Sequence, residues 1–194
     1  MDTNSKDPSG PALMAAAAAE AARVVAGVPG HPMDAPTPCD DWDLRTLVNH
    51  VILWTAYSAE RRAHGESVAE DLMTKDFTAD PGFAQDYAAQ IDRAVTAWSD
   101  PAAWERELGV MGSGTPAADV AAMLIAEMVL HGWDIAKATG QPFDLPEHTL
   151  HACLDHVAKF VPNAPNRAPW RPPAAVAPGA TLLNRIVAIT GRAP

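Results

Sequence analysis

The sequence is dominated by residues that favour helices. About one residue in five of the 194 is alanine, which has the highest intrinsic helix propensity. Runs of β-branched residues are short, and no stretch alternates apolar and polar residues for long enough to predict a strand. The sequence therefore predicts an all-α protein.

Apolar residues that recur at helical spacing locate four main helices and two shorter ones. The fourth is the longest and most apolar, with Thr115 as the predicted N-cap, Pro116 at the first helical position and Gly140 just past the end. In the second helix, Asp43 is the predicted N-cap. The predicted helices span residues 11–27, 43–65, 81–100, 115–139, 146–160 and 181–190.

The connections between these helices are rich in glycine and proline. Residues 104–116 are predicted to form a loop with a short extended piece. Residues 162–178 hold six prolines, so this segment cannot form a helix. The pattern predicts a four-helix bundle with additional C-terminal helices and a Pro-rich extended segment. We expect one domain over residues 11–194 and disorder over residues 1–10.

Charge and hydropathy narrow the classes of partner. Lys and Arg number 14 against 24 Asp and Glu, a formal net charge of −10, and the basic residues are scattered. No phosphate-binding patch for nucleic acid is therefore expected. No apolar run is long enough to span a bilayer, and the N-terminus MDTNSKDPSG lacks the features of a signal peptide. These features predict a cytoplasmic protein.

The longest predicted helix carries a candidate metal site. Glu127 and His131 lie four residues apart, on one face of the helix and among apolar neighbours. Burying a carboxylate there costs several kcal/mol unless a charge or a metal compensates it. His50 lies on the apolar face of the second helix and is the candidate partner. Each residue has a simpler explanation by itself, as a packed core histidine or a helix-surface pair.

Together His50, Glu127 and His131 form a donor set that suits a divalent metal with at least one open coordination position. Zinc fits imidazole and carboxylate ligands best, with nickel and iron as alternatives. Asp134 has two explanations. It orients a metal-bound imidazole through a hydrogen bond, or it is a surface or capping residue late in the helix.

The sequence contains two other groups of potential metal ligands, a second histidine cluster and a pair of cysteines. His148, His151 and Asp155 share one side of the predicted fifth helix, which we expect to face solvent and not to bind a second metal. Cys39 and Cys153 are too far apart in sequence for a disulfide framework. Cys153 is expected to be buried, and Cys39 to lie near the mouth of the metal site.

Three further side chains flank the candidate ligands in sequence. Trp42 and Trp133 are expected to pack the bundle, with substrate contact as the less favoured role. Arg45 is expected to pair with an acidic neighbour on the surface, although an anionic substrate is an alternative partner.

Three segments carry a resemblance to a known family: PTPCDDWDLRTLVNHV, EMVLHGWDIAKATGQPFDLPEH and LLNRIVAITGRAP. They resemble the DinB-like metal-binding bundles of the mycothiol-dependent maleylpyruvate isomerase N-terminal-domain type, and above all its short single-domain members, mostly of unknown activity. In that family a histidine on the second helix and an E-x3-H pair bind a divalent metal. The resemblance assigns these roles to His50, Glu127 and His131.

The resemblance implies an enzyme that activates a low-molecular-weight thiol such as mycothiol for transfer to a small-molecule substrate or for isomerisation. A homodimer is compatible with it. Isomerisation of maleylpyruvate itself is not expected, because the full-length isomerases carry a further C-terminal domain that contributes to catalysis. The alternatives are a hydrolase that uses bound water, a metal-stabilised binding or regulatory module, and a metal-free helical adaptor.

Overall fold

The computed structural model of the chain describes residues 9–39, 41–109, 114–163 and 171–194. This part is mostly helical, and the predicted all-α fold is confirmed. The expectation of disorder covers residues 1–10, of which residues 1–8 lie outside the described residues, whereas Ser9 is the N-cap of α1 and Gly10 its first residue. The α-helices are α1 Gly10–Ala26, α2 Leu44–Val51, α3 Ser58–Ala63, α4 Phe83–Trp98, α5 Pro101–Trp104, α6 Ala117–Thr139, α7 Glu147–Phe160 and α8 Leu182–Ile189.

Four long helical segments form the bundle. Helix α1 packs against α4 and α6, and the helix made of α2, α3 and the turn between them packs against the same two. This is the arrangement of a four-helix bundle. Helix α7 packs on α6, α1 and α8, so the predicted additional C-terminal helices are present. No helix in the described ranges is long and apolar enough to cross a membrane.

The start of α6 differs from the prediction. Thr115 pairs with Leu108 in a small antiparallel ribbon of β1 Glu107–Leu108 and β2 Thr115–Pro116. The N-cap of α6 is Pro116, which makes no side-chain capping hydrogen bond. The prediction of Thr115 as the N-cap was therefore wrong, because strand pairing holds its backbone. The ribbon is the short extended piece expected in this loop.

Two other predicted helix ends agree with the structure, whereas the third predicted helix, residues 81–100, is shorter in the structure, at Phe83–Trp98. The Asp43 side chain accepts a hydrogen bond of 2.8 Å from the Thr46 backbone N–H, which fixes the start of α2. Gly140 ends α6 in the left-handed conformation, with φ of 68°. Of the Pro-rich segment, residues 171–178 are non-helical as predicted, and residues 164–170 lie outside the described residues. Short 3₁₀ turns occupy Glu70–Thr74, Phe77–Ala79 and Val161–Asn163.

The long second helix contains a π-helical stretch that the sequence did not predict. Residues Ile52–Tyr57 join α2 to α3 without a break. The Thr55 hydroxyl donates to the Val51 carbonyl at 2.7 Å, and the buried Tyr87 hydroxyl of α4 therefore donates to Thr55 at 2.8 Å. Side-chain bonds to carbonyls of the preceding turn are a recognised cause of such helix distortions.

The π stretch changes which side chains share a face. Twelve residues of regular α-helix would leave Arg62 about 120° around the axis from His50. A π turn accommodates one extra residue and takes back about 100° of that rotation. Trp54 lies between them. Its ring centroid is 6.3 Å from the His50 ring centroid and 5.4 Å from the Arg62 guanidinium carbon. His50 and Arg62 therefore face the same side of the bundle.

Replacing Tyr87 with phenylalanine tests the bond across the π stretch. Thr55 then loses its donor in a buried position, and we expect the free energy of unfolding to fall by about 1 kcal/mol. Urea denaturation followed by circular dichroism measures it. Tyr57→Phe is the matched control, because the Tyr57 hydroxyl has no hydrogen bond in the described part of the chain. Equal losses in the two variants would contradict the assignment.

Candidate metal centre

Helices α2 and α6 bring the three predicted ligands together. His50 Nε2 lies 2.9 Å from Glu127 Oε2, and His131 Nε2 lies 3.4 Å from the same oxygen. One candidate ligand atom from each residue lies within 4.8 Å of those of the other two. The structure thus places all three sequence-predicted residues at one point in the bundle.

The local sequence explains why these side chains converge. In α2, Leu47 and Val51 flank His50 and are fully buried, so the helix turns that face inward. In α6, Glu127 and His131 are one turn apart, and the fully buried Leu124 lies one turn before them. Burial of both apolar faces therefore directs the polar side chains toward each other.

Glu127 is held in its ionised form. Burial raises the pKa of this carboxyl group, but the hydrogen bond with His50 and the electrostatic interactions with His131, His50 and Arg192 outweigh it and lower the pKa to about 2. The side chains of Glu127 and His50 remain 23% and 22% exposed, against 7% for His131. The centre therefore offers an anionic oxygen and is open on one side.

Behind His131 lies a buried ion pair. Asp134 is completely buried and its Oδ2 lies 3.0 Å from His131 Nδ1. Arg192 donates to both oxygens of Asp134, from Nε at 2.8 Å and from Nη2 at 2.7 Å. Burial raises the pKa of Asp134, but these hydrogen bonds lower it overall, so the group is a carboxylate and His131 Nδ1 is the donor.

This network sets the orientation of His131. With its proton on Nδ1, a neutral imidazole turns the lone pair of Nε2 toward Glu127 and His50. Of the two explanations offered for Asp134, the surface or capping role is therefore wrong. Arg192 was missed by the sequence reasoning, because one arginine in a short C-terminal tail has no periodic pattern to identify it.

The approach of Arg192 depends on Gly191. This residue adopts φ of 87°, which side-chain-bearing residues rarely do. A Cβ atom there would lie 2.4 Å from the Cβ of Arg171. Arg192 also donates from Nη1 to the Thr190 hydroxyl at 2.9 Å. The turn after α8 thus directs the guanidinium into the bundle.

Trp42 covers the two imidazoles. Its ring centroid lies 4.6 Å from that of His50 and 5.6 Å from that of His131. Trp133 is buried, and Lys137 Nζ lies 5.3 Å from its ring. Both tryptophans pack as expected. Arg45 pairs with Asp76 at 3.5 Å on the surface, also as expected.

Cys39 lies beside the centre, and Cys153 is buried away from water. The Cys39 sulfur lies within 4.8 Å of ligand atoms of His131 and Asp134. This second group is less suited to a metal, because the Asp134 oxygens already bind Arg192 and His131. Burial raises the pKa of the Cys153 thiol to about 12, and no disulfide joins it to Cys39.

The histidines of α7 divide into two sets. His148, His151 and Asp155 are exposed, as predicted. His156 was missed, although it follows directly in the same motif. It stacks on Phe160 at 5.5 Å and lines a cavity of about 430 Å³ between α6 and α7. Burial lowers the pKa of His156, while the charges of Asp119 and Glu127 act in the opposite direction.

A family model described as the mycothiol maleylpyruvate isomerase N-terminal domain matches residues 14–136. The chain belongs to this family. The match includes the three candidate ligands but not Arg192. No protein among the curated sequences matches the chain.

A solved structure supports the fold. The crystal structure of the mycothiol-dependent maleylpyruvate isomerase superposes with a TM-score of 0.61 at 18% sequence identity, over 79% of this chain and 70% of that one. At this level of sequence identity, the similarity shows a shared fold and nothing further about function. The expected homodimer and cytoplasmic location stay predictions.

Asp134→Asn tests the buried ion pair. The substitution leaves Arg192 buried without a compensating charge, and we expect the free energy of unfolding to fall by about 3–5 kcal/mol. Asp155→Asn, on the exposed face of α7, is the control and should stay within about 0.5 kcal/mol of the original chain. Chemical denaturation at neutral pH measures both.

The difference in stability between the original chain and Asp134→Asn should depend on pH. The pKa of Asp134 in the folded protein lies below its ordinary value of 3.8. The ionised group therefore stabilises the folded state fully above pH 3.8, and this stabilisation is lost as the pH falls through the folded-state pKa. Because asparagine does not titrate, the gap between the original chain and Asp134→Asn should narrow below pH 3.8. A constant gap would contradict the ion pair.

Proposed function

We propose that this chain binds a divalent metal through His50, Glu127 and His131 and uses it in an enzymatic reaction of a low-molecular-weight thiol. The observation that carries the proposal is the convergence of two imidazoles and one ionised carboxylate within 4.8 Å, in a chain of a mycothiol-related enzyme family. The family supports a thiol and a small-molecule substrate as partners.

The residues present fit a metal. Two neutral imidazole nitrogens and one carboxylate oxygen form a ligand set typical of zinc enzymes, with nickel and iron as the next candidates. Glu127 is partly buried, and its low pKa keeps the carboxylate ionised and able to bind a cation. Asp134 supplies the outer hydrogen bond that metal-bound histidines commonly have.

A bound ion would supply Lewis acidity, lowering the pKa of a thiol or water at its open position so that a nucleophile exists at neutral pH. The protein's own residues prepare that position. Arg192 and Asp134 hold the His131 ring, and Trp42 packs across both imidazoles. The exposed edges of His50 and Glu127 leave access for small molecules from one side.

Metal analysis of the purified, untagged protein tests the ligand set. We expect about one equivalent of zinc or nickel, and loss of most of it in His50→Ala and in Glu127→Ala. His148→Ala and Glu147→Ala are matched controls on the exposed face of α7 and should keep the metal. Mass spectrometry of the intact protein and elemental analysis measure the stoichiometry.

Two results would contradict the proposal. One is a protein without metal even after incubation with zinc, nickel and iron(II). The other is equal metal content in the ligand variants and the controls. The first would favour the metal-free adaptor, with Glu127 paired to protonated histidines.

Thiol turnover tests the reaction. Zinc-loaded protein is incubated with mycothiol and an aromatic electrophile, and consumption of the thiol is followed by liquid chromatography. We expect metal-dependent turnover that Glu127→Ala lowers by at least about 100-fold, because it removes a ligand. Turnover that survives metal removal would contradict the mechanism. Hydrolysis without any thiol would favour the hydrolase alternative.

A further inference from the structure

Arg62 is a half-buried cation without a hydrogen-bond acceptor. In residues 9–39, 41–109, 114–163 and 171–194 no oxygen accepts a hydrogen bond from its guanidinium group, and no carboxylate forms an ion pair with it. It lies over the Trp54 ring at 5.4 Å. A guanidinium keeps its proton in proteins, so those of its donors that are shielded from water cost stability unless a ligand supplies acceptors.

The neighbouring arginine shows the contrast. Arg61 pairs with Glu66 at 3.2 Å and donates to the Ser67 carbonyl, as a surface arginine normally does. That pairing also neutralises Glu66, the acidic residue on the wall beside Arg62. The charge that remains on this wall is therefore the positive charge of Arg62.

Arg62 lines a cavity of about 300 Å³, which is at the small end of the range for ligand pockets. Trp54, Val68 and Leu108 form its apolar part. An anion bound there would meet a guanidinium fork on one side and an aromatic ring beside it. Carboxylates fit this fork through two parallel hydrogen bonds.

Trp54, which lines the cavity, is also a neighbour of the candidate metal ligand His50. The π stretch places Arg62 on the face of His50, and the Trp54 ring contacts both side chains. Glu127 is close enough to act on Arg62 electrostatically: burial lowers the pKa of Arg62, and Glu127 raises it in part. Glu127 does not reach hydrogen-bonding distance, so the donors stay available to a ligand.

We propose that Arg62 binds the carboxylate of a small organic acid, with its apolar body against Trp54 and Leu108. This inference rests on the proposed function for the role of the ligand. It adds the residue that holds the carboxylate of that ligand. The carboxylate comes either from the acceptor molecule or from a thiol that carries an acid group. Both sources present the same chemistry to Arg62.

Benzoate is the probe, and isothermal titration calorimetry measures its binding to zinc-loaded and to metal-free protein. We expect Arg62→Met to weaken binding at least about tenfold in both forms, because a charged hydrogen-bonded pair is lost. Arg62→Lys should keep part of the affinity. Arg185→Met, an equal change of charge at an exposed position of α8, should bind as the original chain does, and benzamide should bind weakly or not at all.

Stability is the second readout. If Arg62 is kept for a ligand, Arg62→Met should unfold at a temperature no lower than the original chain, whereas an arginine kept for structure would lower it. Equal benzoate affinity in Arg62→Met and Arg185→Met would overturn the proposal. Binding that requires zinc but not Arg62 would overturn it too, since benzoate would then bind at the metal alone.

Two further measurements distinguish the carboxylate site from the proposed metal function, and the acceptor from the thiol as the origin of the carboxylate. If the protein binds no metal but benzoate affinity still depends on Arg62, the proposed function fails and the carboxylate site stands. Displacement of benzoate by N-acetylcysteine, but not by its amide, would assign the carboxylate to the thiol. Absence of that displacement, with Arg62-dependent benzoate binding, would assign it to the acceptor.

Discussion

Two carboxylates inside the bundle determine how the rest of the structure is arranged. Asp134 is fully buried and Glu127 is partly buried on the inner face of α6, where a negative charge is costly unless it is compensated. Glu127 is compensated by the two imidazoles, and Asp134 by Arg192 and by His131. Helix α2, helix α6 and the C-terminal turn must therefore meet at one place.

The two carboxylates have different surroundings and hence different capacities. Asp134 is fully enclosed, and its oxygens are occupied by donors, so it acts on the centre only by orienting His131. Glu127 keeps an exposed edge, and the two histidine nitrogens lie around it. Position along a single helix thus separates a residue that supports the centre from one that can bind a ligand.

The helices and the candidate ligands were largely predictable, because periodicity and local capping act over a few residues. His50, Glu127 and His131 stand out as polar groups on apolar faces, and Asp43 caps α2 as its side chain allows. Arg192 and Arg62 were not predictable in the same way. Their roles depend on partners or cavities far away in sequence, and Thr115 follows a strand pairing that its own residue type does not specify.

The sequence by itself determined the all-α class, the positions of the long helices and the family. These depend on local propensity, amphipathic pattern and short motifs. Only the tertiary structure decided that Asp134 supports His131, that Arg192 neutralises it, and that the π stretch turns Arg62 toward the face of His50. Each of these depends on contacts between segments that are distant in sequence, or on one extra residue in a helical turn. Neither can be predicted from the residues of one segment alone.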